Sequence, residues 1–119
     1  MSTDLKIDYI ELPAGDFDAV QAFYEKVFGW SFEDYGEQYR AFSDGKLDGG
    51  FYRSDKVSTS EQGAALVIFY ASDLEATEQS VIAAGGRINK AIFEFPGGRR
   101  FHFVDPHGNE MAAWTKTGA

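Results

Sequence analysis

The residues best suited to chemistry lie in one stretch of the sequence, between positions 99 and 114. His102 could act as a general acid or base, because an imidazole titrates near neutral pH. Arg100 could bind a carboxylate or phosphate through its planar guanidinium group. Each also has a purely structural interpretation, His102 as a hydrogen-bonded strand histidine and Arg100 as an ion-pair partner of Glu110 or Glu11. The sequence leaves these alternatives open.

Other kinds of chemistry have weaker support. Ser43 and Ser54 have no histidine or aspartate nearby in sequence that would suggest a nucleophile. Cysteine is absent, which excludes thiolate catalysis, disulfides and cysteine-based metal sites. His107 lies among turn residues and is expected to be exposed to solvent.

The stretch that carries His102 has the pattern of a strand, a tight turn and a second strand. Residues 100–104 alternate polar and apolar side chains, which is typical of a strand with one buried face. The turn follows at Asp105-Pro106-His107-Gly108-Asn109, and a mostly apolar strand runs from Glu110 to Trp114. A weaker copy occurs at 42–52, which indicates an internal repeat.

The repeat extends over most of the chain. Asp16 and Asp73 are 57 positions apart, and both are predicted to cap the start of a helix. Phe42 and Phe103 are 61 positions apart, so a four-residue insertion is expected in the hairpin at 93–99. Each unit reads as strand, helix and three strands, with unit one at 5–55, a linker at 56–63 and unit two at 64–116. In unit one the first strand is expected to end at Pro13.

Length and charge limit the class of protein. The 119 residues suit one domain, and a net charge of −8 argues against a nucleic-acid or anionic-membrane partner. No apolar run is long enough to span a membrane and the start is not signal-like, so a cytoplasmic location is expected.

Three motifs resemble the vicinal oxygen chelate superfamily, which includes glyoxalases, bleomycin- and fosfomycin-resistance proteins and extradiol dioxygenases. They are FYEKVFGW at 23–30, AAGGRI at 83–88 and DPHGNE at 105–110. The resemblance implies an α+β fold in which two tandem βαβββ units form a curved mixed sheet around a cleft. It does not by itself imply an activity.

The resemblance also bears on the metal site of this superfamily. Its first three ligand positions fall on Tyr9, Leu66 and Ala112, and the fourth falls near 49–52, where no His, Asp or Glu occurs. None of the three is a usual ligand of a divalent metal. We therefore expect no metal and no cofactor.

Strand alternation together with the resemblance predicts which residues line the cleft. They are Tyr9, Glu11, Leu66, Tyr70, Arg100, His102, Ala112 and Trp114. Tyr9 could instead fill the volume of the histidine that it replaces. The expected ligand is a small, partly aromatic or acidic molecule, held between Tyr9 and Trp114 with Arg100 and His102 as polar anchors.

Three functions fit these observations. The first is a metal-free protein of bleomycin-resistance type that binds a small molecule in the cleft. The second is a lyase or isomerase similar to lactoylglutathione lyase, using a metal or the acid–base candidates His102, Glu11 and Tyr9. The third is a non-catalytic interaction module whose cleft is filled by its own side chains. A homodimer is expected from the resemblance, and because Phe23, Phe28, Trp30 and Phe32 are more aromatic surface than one small core easily hides.

Overall fold

The computed structural model describes residues 4–118, which form two units of the same design. Unit one consists of β1 (Tyr9–Ala14), α1 (Phe17–Phe28), β2 (Ser31–Asp34), β3 (Tyr39–Ser43) and β4 (Asp48–Arg53). Unit two consists of β5 (Val67–Tyr70), α2 (Leu74–Ala83), β6 (Arg87–Phe95), β7 (Gly98–Val104) and β8 (Glu110–Lys116). This confirms the predicted α+β fold of tandem βαβββ units.

Hydrogen bonding divides the strands into two four-stranded sheets, one in each unit. Sheet one has the order β1-β4-β3-β2, and sheet two has the equivalent order β5-β8-β7-β6. In each sheet the first and last strands of the unit are parallel and the other pairs are antiparallel. Both sheets are therefore mixed, and β1 and β5 occupy equivalent edge positions.

The helix boundaries follow from local signals that occur in both units. The side chain of Asp16 accepts a hydrogen bond from the Ala19 amide at 3.1 Å, and Asp73 accepts one from the Ala76 amide at the same distance. Each carboxylate satisfies an amide that the first helical turn leaves without a partner. The predicted caps are confirmed, and their equivalence supports the repeat.

The inner faces of the two sheets and the two helices enclose one shared aromatic core. Phe28 stacks on Phe69 with ring centroids 4.1 Å apart, which joins α1 of unit one to β5 of unit two. Trp30 is only 6% exposed and Phe23 only 1%. Phe28 and Phe32 are half-buried, so the chain hides only part of this aromatic surface, and the homodimer stays a prediction.

Pro13 does not end the first strand as predicted. It pairs with Tyr52 inside β1, which continues to Ala14. A proline cannot donate to a strand ladder, but β1 lies at the edge of sheet one and hydrogen-bonds to β4 alone, so no donor is needed on its open side. Strand order, which is a tertiary property, thus overrides the local breaking signal.

The turn after β7 connects the two units. Asp105 Oδ1 accepts hydrogen bonds from the three amides of His107, Gly108 and Asn109. Asn109 Nδ2 in turn donates to the Pro13 carbonyl at 2.8 Å. No helix within residues 4–118 combines the length and apolar character that crossing a membrane requires.

Candidate functional site

A cavity lies on the outer face of sheet one, opposite the shared core, and two aromatics of that core, Phe32 and Phe42, also line it. It has a volume of about 690 Å³ and opens to solvent. This volume falls within the range of small-molecule sites. Within the described residues, every residue that lines it belongs to unit one; six of them are Tyr9, Ser31, Glu33, Tyr35, Tyr39 and Asp48. We refer to this cavity as the unit-one pocket.

Strand alternation places the polar residues of the unit-one pocket. On β1, Leu12 is buried in the core, whereas Tyr9 and Glu11 are exposed on the outer face. The neighbouring strand β4 has Gly50 opposite Glu11. A Cβ atom at Gly50 would lie 2.0 Å from Tyr39 Oη, so the missing side chain is what allows Tyr39 to lie across the sheet.

A hydrogen-bonded chain links two tyrosines of this face to a carboxylate. The hydroxyls of Tyr9 and Tyr39 are 2.7 Å apart, and Tyr39 donates to Glu11 Oε2 at 3.0 Å. Partial burial of Tyr39, together with its bonds to Tyr9 and Glu11, raises the pKa of its hydroxyl well above the usual value. Tyr39 therefore remains protonated at neutral pH.

Acidic groups dominate the charge of the unit-one pocket. Glu33 and Asp48 line it, whereas no Lys, Arg or His among residues 4–118 does so. The hydrogen bond to Glu33 raises the pKa of Tyr35, and the charge of Glu33 raises it further. This balance differs from the expectation of a basic anchor beside Tyr9.

His102 belongs to a separate, buried cluster on sheet two. Its Nδ1 lies 2.8 Å from Glu110 Oε2, and its Nε2 lies 2.9 Å from Arg100 Nη2. A guanidinium group can only donate, so His102 Nε2 accepts from Arg100 and Nδ1–H donates to Glu110. The hydrogen bonds of His102 thus place a proton on Nδ1 and leave Nε2 as the acceptor. Arg100 reaches Glu110 only through His102, so the direct pairs considered for Arg100 with Glu110 or Glu11 do not form.

Glu110 is held by several donors at once. Ser60 donates to Oε1 through its amide at 2.9 Å and through its hydroxyl at 2.6 Å. Burial favours the neutral acid, but the bonds from Ser60, His102 and Asn89 outweigh it and lower the pKa of Glu110 to about 2. The segment predicted as a linker thereby packs on sheet two.

The remaining predicted ligand residues lie in unit two. Trp114 and Tyr70 make an edge-to-face contact with centroids 5.0 Å apart, and Tyr70 is 49% exposed. Leu66 directly precedes β5, and Ala112 is fully buried in β8. None of these lines the unit-one pocket, and neither do Arg100 and His102. Tyr9 and Glu11 therefore lie together in unit one, whereas the other predicted ligand residues lie in unit two.

The family's metal does not fit the residues present. The side chains of Leu66 and Ala112 have no atom that could bind a metal, and the hydroxyl of Tyr9 is bonded to Tyr39. Across residues 4–118, no group of three or more His, Cys, Asp or Glu side chains is arranged to hold an ion.

His107 is not the free surface residue that the sequence suggested. Its Nδ1 accepts from the Gly15 amide at 3.1 Å, and its Nε2 donates to the Lys56 carbonyl at 2.7 Å. It therefore ties the turn of unit two to unit one and to the start of the linker. The expectation was wrong because both partners are distant in sequence.

The sequence interpretation missed Tyr39, Glu33 and Asp48 as site residues. A signal was available for Tyr39, because Gly50 on the adjacent strand indicates a place where another group approaches closely. No comparable signal pointed to Glu33 or Asp48, since exposed acidic residues are common on any soluble surface.

Comparison with known proteins agrees with the fold and with the motifs. Residues 6–112 match the model of the Glyoxalase/Bleomycin resistance protein/Dioxygenase superfamily. Among curated protein sequences, no significant match was found.

Three solved structures illustrate the likeness in fold. A glyoxalase-related enzyme from Fulvimarina pelagi superposes with a TM-score of 0.78 at 17% identity, covering 94% of this chain and 88% of that one. A glyoxalase/bleomycin resistance protein/dioxygenase family enzyme from Burkholderia phytofirmans PsJN gives 0.76 at 20% identity, covering 92% and 99%. Lactoylglutathione lyase from Agrobacterium tumefaciens gives 0.73 at 20% identity, covering 93% of each chain. The chain belongs to the glyoxalase, bleomycin resistance protein and dioxygenase superfamily.

Proposed function

We propose that this protein binds a small organic molecule in the unit-one pocket without using a divalent metal. The observation that carries the proposal is the open cavity of about 690 Å³ with the bonded hydroxyls of Tyr9 and Tyr39 at its surface. Aromatic side chains with a few polar groups are typical of ligand sites. Tyr9 lines an open space here, which favours binding over the alternative of a cleft filled by its own side chains.

Catalysis by His102 has less support than binding. A general base needs a free lone pair, but the acceptor nitrogen of His102 is already occupied by Arg100. His102 is also only 6% exposed. The cluster with Glu110 therefore fits a structural role better than the acid–base role of a lyase or isomerase.

The test is a fragment screen followed by amide-resolved NMR. Binding in the unit-one pocket is expected to shift the amide signals of Ser31, Ala41 and Gly49, all of which line it. Ala41→Trp places a bulky group in the pocket and should abolish these shifts. Ala91→Trp, at an exposed alanine of β6, is the matched control and should retain them. Fragments that bind Ala41→Trp as tightly as they bind wild type would refute the unit-one pocket as the binding site.

We also propose that two chains form a homodimer through the outer face of sheet two. Ile68 and Tyr70 are 44% and 49% exposed on that face, although both are apolar or aromatic.

Sedimentation velocity at micromolar concentration tests the assembly. A species of twice the 13.2 kDa chain mass is expected. A single species at the chain mass, with a ligand still bound, would refute the dimer while leaving the unit-one pocket intact.

A further inference from the structure

We infer that the ligand of the unit-one pocket carries a protonated amine on an aromatic or apolar body. The inference rests on the proposed function and adds the chemical class of the molecule. It replaces the expectation of an acidic ligand, which depended on Arg100 and His102 facing Tyr9. Three independent properties of the pocket support it: the direction of its hydrogen bonds, its charge and its aromatic surface.

The direction of the hydroxyl chain follows from the partner at its end. An ionised carboxylate only accepts hydrogen bonds, so Tyr39 must donate its one proton to Glu11. Tyr39 Oη can then only accept from Tyr9, across the 2.7 Å that separates the two hydroxyls. The hydroxyl proton of Tyr9 is thus used in this bond, and the oxygen of Tyr9 can only accept a hydrogen bond from another group. Tyr9 therefore presents an acceptor to a ligand and not a donor.

The charged groups of the pocket share this preference. Glu33 and Asp48 are carboxylates, and they too can only accept hydrogen bonds. An anionic ligand would meet two like charges and an acceptor hydroxyl. The guanidinium of Arg100 does not offset them within the chain, because it is bonded to His102 and lies 5.8 Å over the Phe93 ring of sheet two.

The tyrosines add a surface that suits an organic cation. Tyr9, Tyr35 and Tyr39 all line the pocket, and Tyr9 and Tyr35 are 44% and 62% exposed. An ammonium group is attracted to the face of a tyrosine ring, and the apolar body of the ligand can pack on the same rings. Hydroxyls of Ser31 and Ser43, which also line the pocket, can accept from the same group.

Three indole compounds of similar size separate charge from shape: tryptamine as the cation, tryptophol as the neutral probe and indole-3-propionate as the anion. Each is titrated into the 119-residue chain at pH 7 and low salt, and the amide signals of Ser31, Ala41 and Gly49 are followed. Tryptamine is expected to bind about tenfold more tightly than indole-3-propionate, because the two partly exposed carboxylates of the pocket attract the cation and repel the anion. Its affinity should fall as salt is added, whereas that of tryptophol should not.

Variants locate the source of the preference. The double variant Glu33→Gln, Asp48→Asn should bind tryptamine less tightly than wild type does, while its affinity for tryptophol stays that of wild type. Glu61→Gln, Glu94→Gln removes two exposed carboxylates outside the pocket and should keep the preference. Tyr9→Phe should weaken tryptamine more than indole-3-propionate, because only the amine uses the acceptor.

The outcomes distinguish this inference from the function on which it rests. If tryptophol or indole-3-propionate binds as tightly as tryptamine, the inference is overturned and the unit-one pocket stands as a binding site. If the three probes leave the pocket signals unchanged while fragment hits sensitive to Ala41→Trp exist, the inference alone fails. If neither the probes nor the fragments shift those signals, both fail.

Discussion

Tyr24 of unit one donates a hydrogen bond to Asp105 of unit two at 2.8 Å, inside the shared core. Tyr24 is fully buried, and burial, together with the charge of Asp105, raises the pKa of its hydroxyl well above the usual value. Asp105 also organises the turn before β8. One side-chain contact therefore connects α1 with the turn that joins the two units.

Tyr24→Phe is expected to destabilise the protein by about 1–3 kcal/mol, because it removes one partner of a buried charged acceptor. Tyr52→Phe, at a tyrosine that is 40% exposed, should change stability by less than about 0.5 kcal/mol. Urea unfolding followed by circular dichroism measures both values. Equal stability of the two variants would show that the Tyr24 hydrogen bond contributes nothing.

Glu110 should make stability depend on pH in the acid range. Its pKa in the folded protein is about 2, below its usual 4.5. The stabilisation is thus complete above about pH 5 and is lost as the pH falls towards 2. At pH 7 we expect Glu110→Gln to cost about 1–3 kcal/mol through weakened bonds to Ser60 and His102.

The check is urea unfolding of wild type and Glu110→Gln at several pH values between 7 and 2. The difference in unfolding free energy should shrink as the pH falls, because wild type becomes protonated at this site. Exposed Glu61→Gln is the control and should follow wild type throughout. A difference that stays constant with pH would contradict the lowered pKa.

Substitutions at two adjacent glycines should affect stability and ligand binding separately. A Cβ at Gly49 would lie 2.4 Å from the Ile10 carbonyl oxygen and from the Phe42 ring, so Gly49→Ala is expected to cost about 1–3 kcal/mol through overpacking. A Cβ at Gly50 meets the outer end of Tyr39, which can move into the open pocket. Gly50→Ala should therefore stay near wild-type stability and weaken tryptamine binding. Thermal unfolding and NMR titration of both variants provide the measurement.

The proposed dimer predicts a different effect for two exposed isoleucines. Ile68→Asp places a charge on the outer face of sheet two and should convert the dimer to a monomer. Ile82→Asp, at a residue of α2 with a similar 49% exposure, should leave the dimer unchanged. Sedimentation velocity of both variants decides, and dissociation by Ile82→Asp alone would place the interface on the helix.

The local and repeated features of this protein were determined by its sequence. Asp16 and Asp73 cap helices because a carboxylate next to free amides acts within a single turn. The faces of β1 were equally predictable, since alternation alone places Tyr9 and Glu11 on the same side. The motifs at 23–30, 83–88 and 105–110 were sufficient to indicate the fold and the family.

Only the tertiary structure decided which of these faces meet. Tyr9 and His102 lie in different units. The two sheets pack against the shared core through their inner faces. Alternation within one strand therefore could not show whether the outer faces of the two sheets form one cleft. The hydroxyl chain from Glu11 to Tyr9 passes through Tyr39, which is 28 residues away from Glu11 along the chain. Pro13 likewise remains in a strand because β1 is an edge. Each outcome depends on contacts between residues far apart in sequence, and a pattern within one segment carries no information about them.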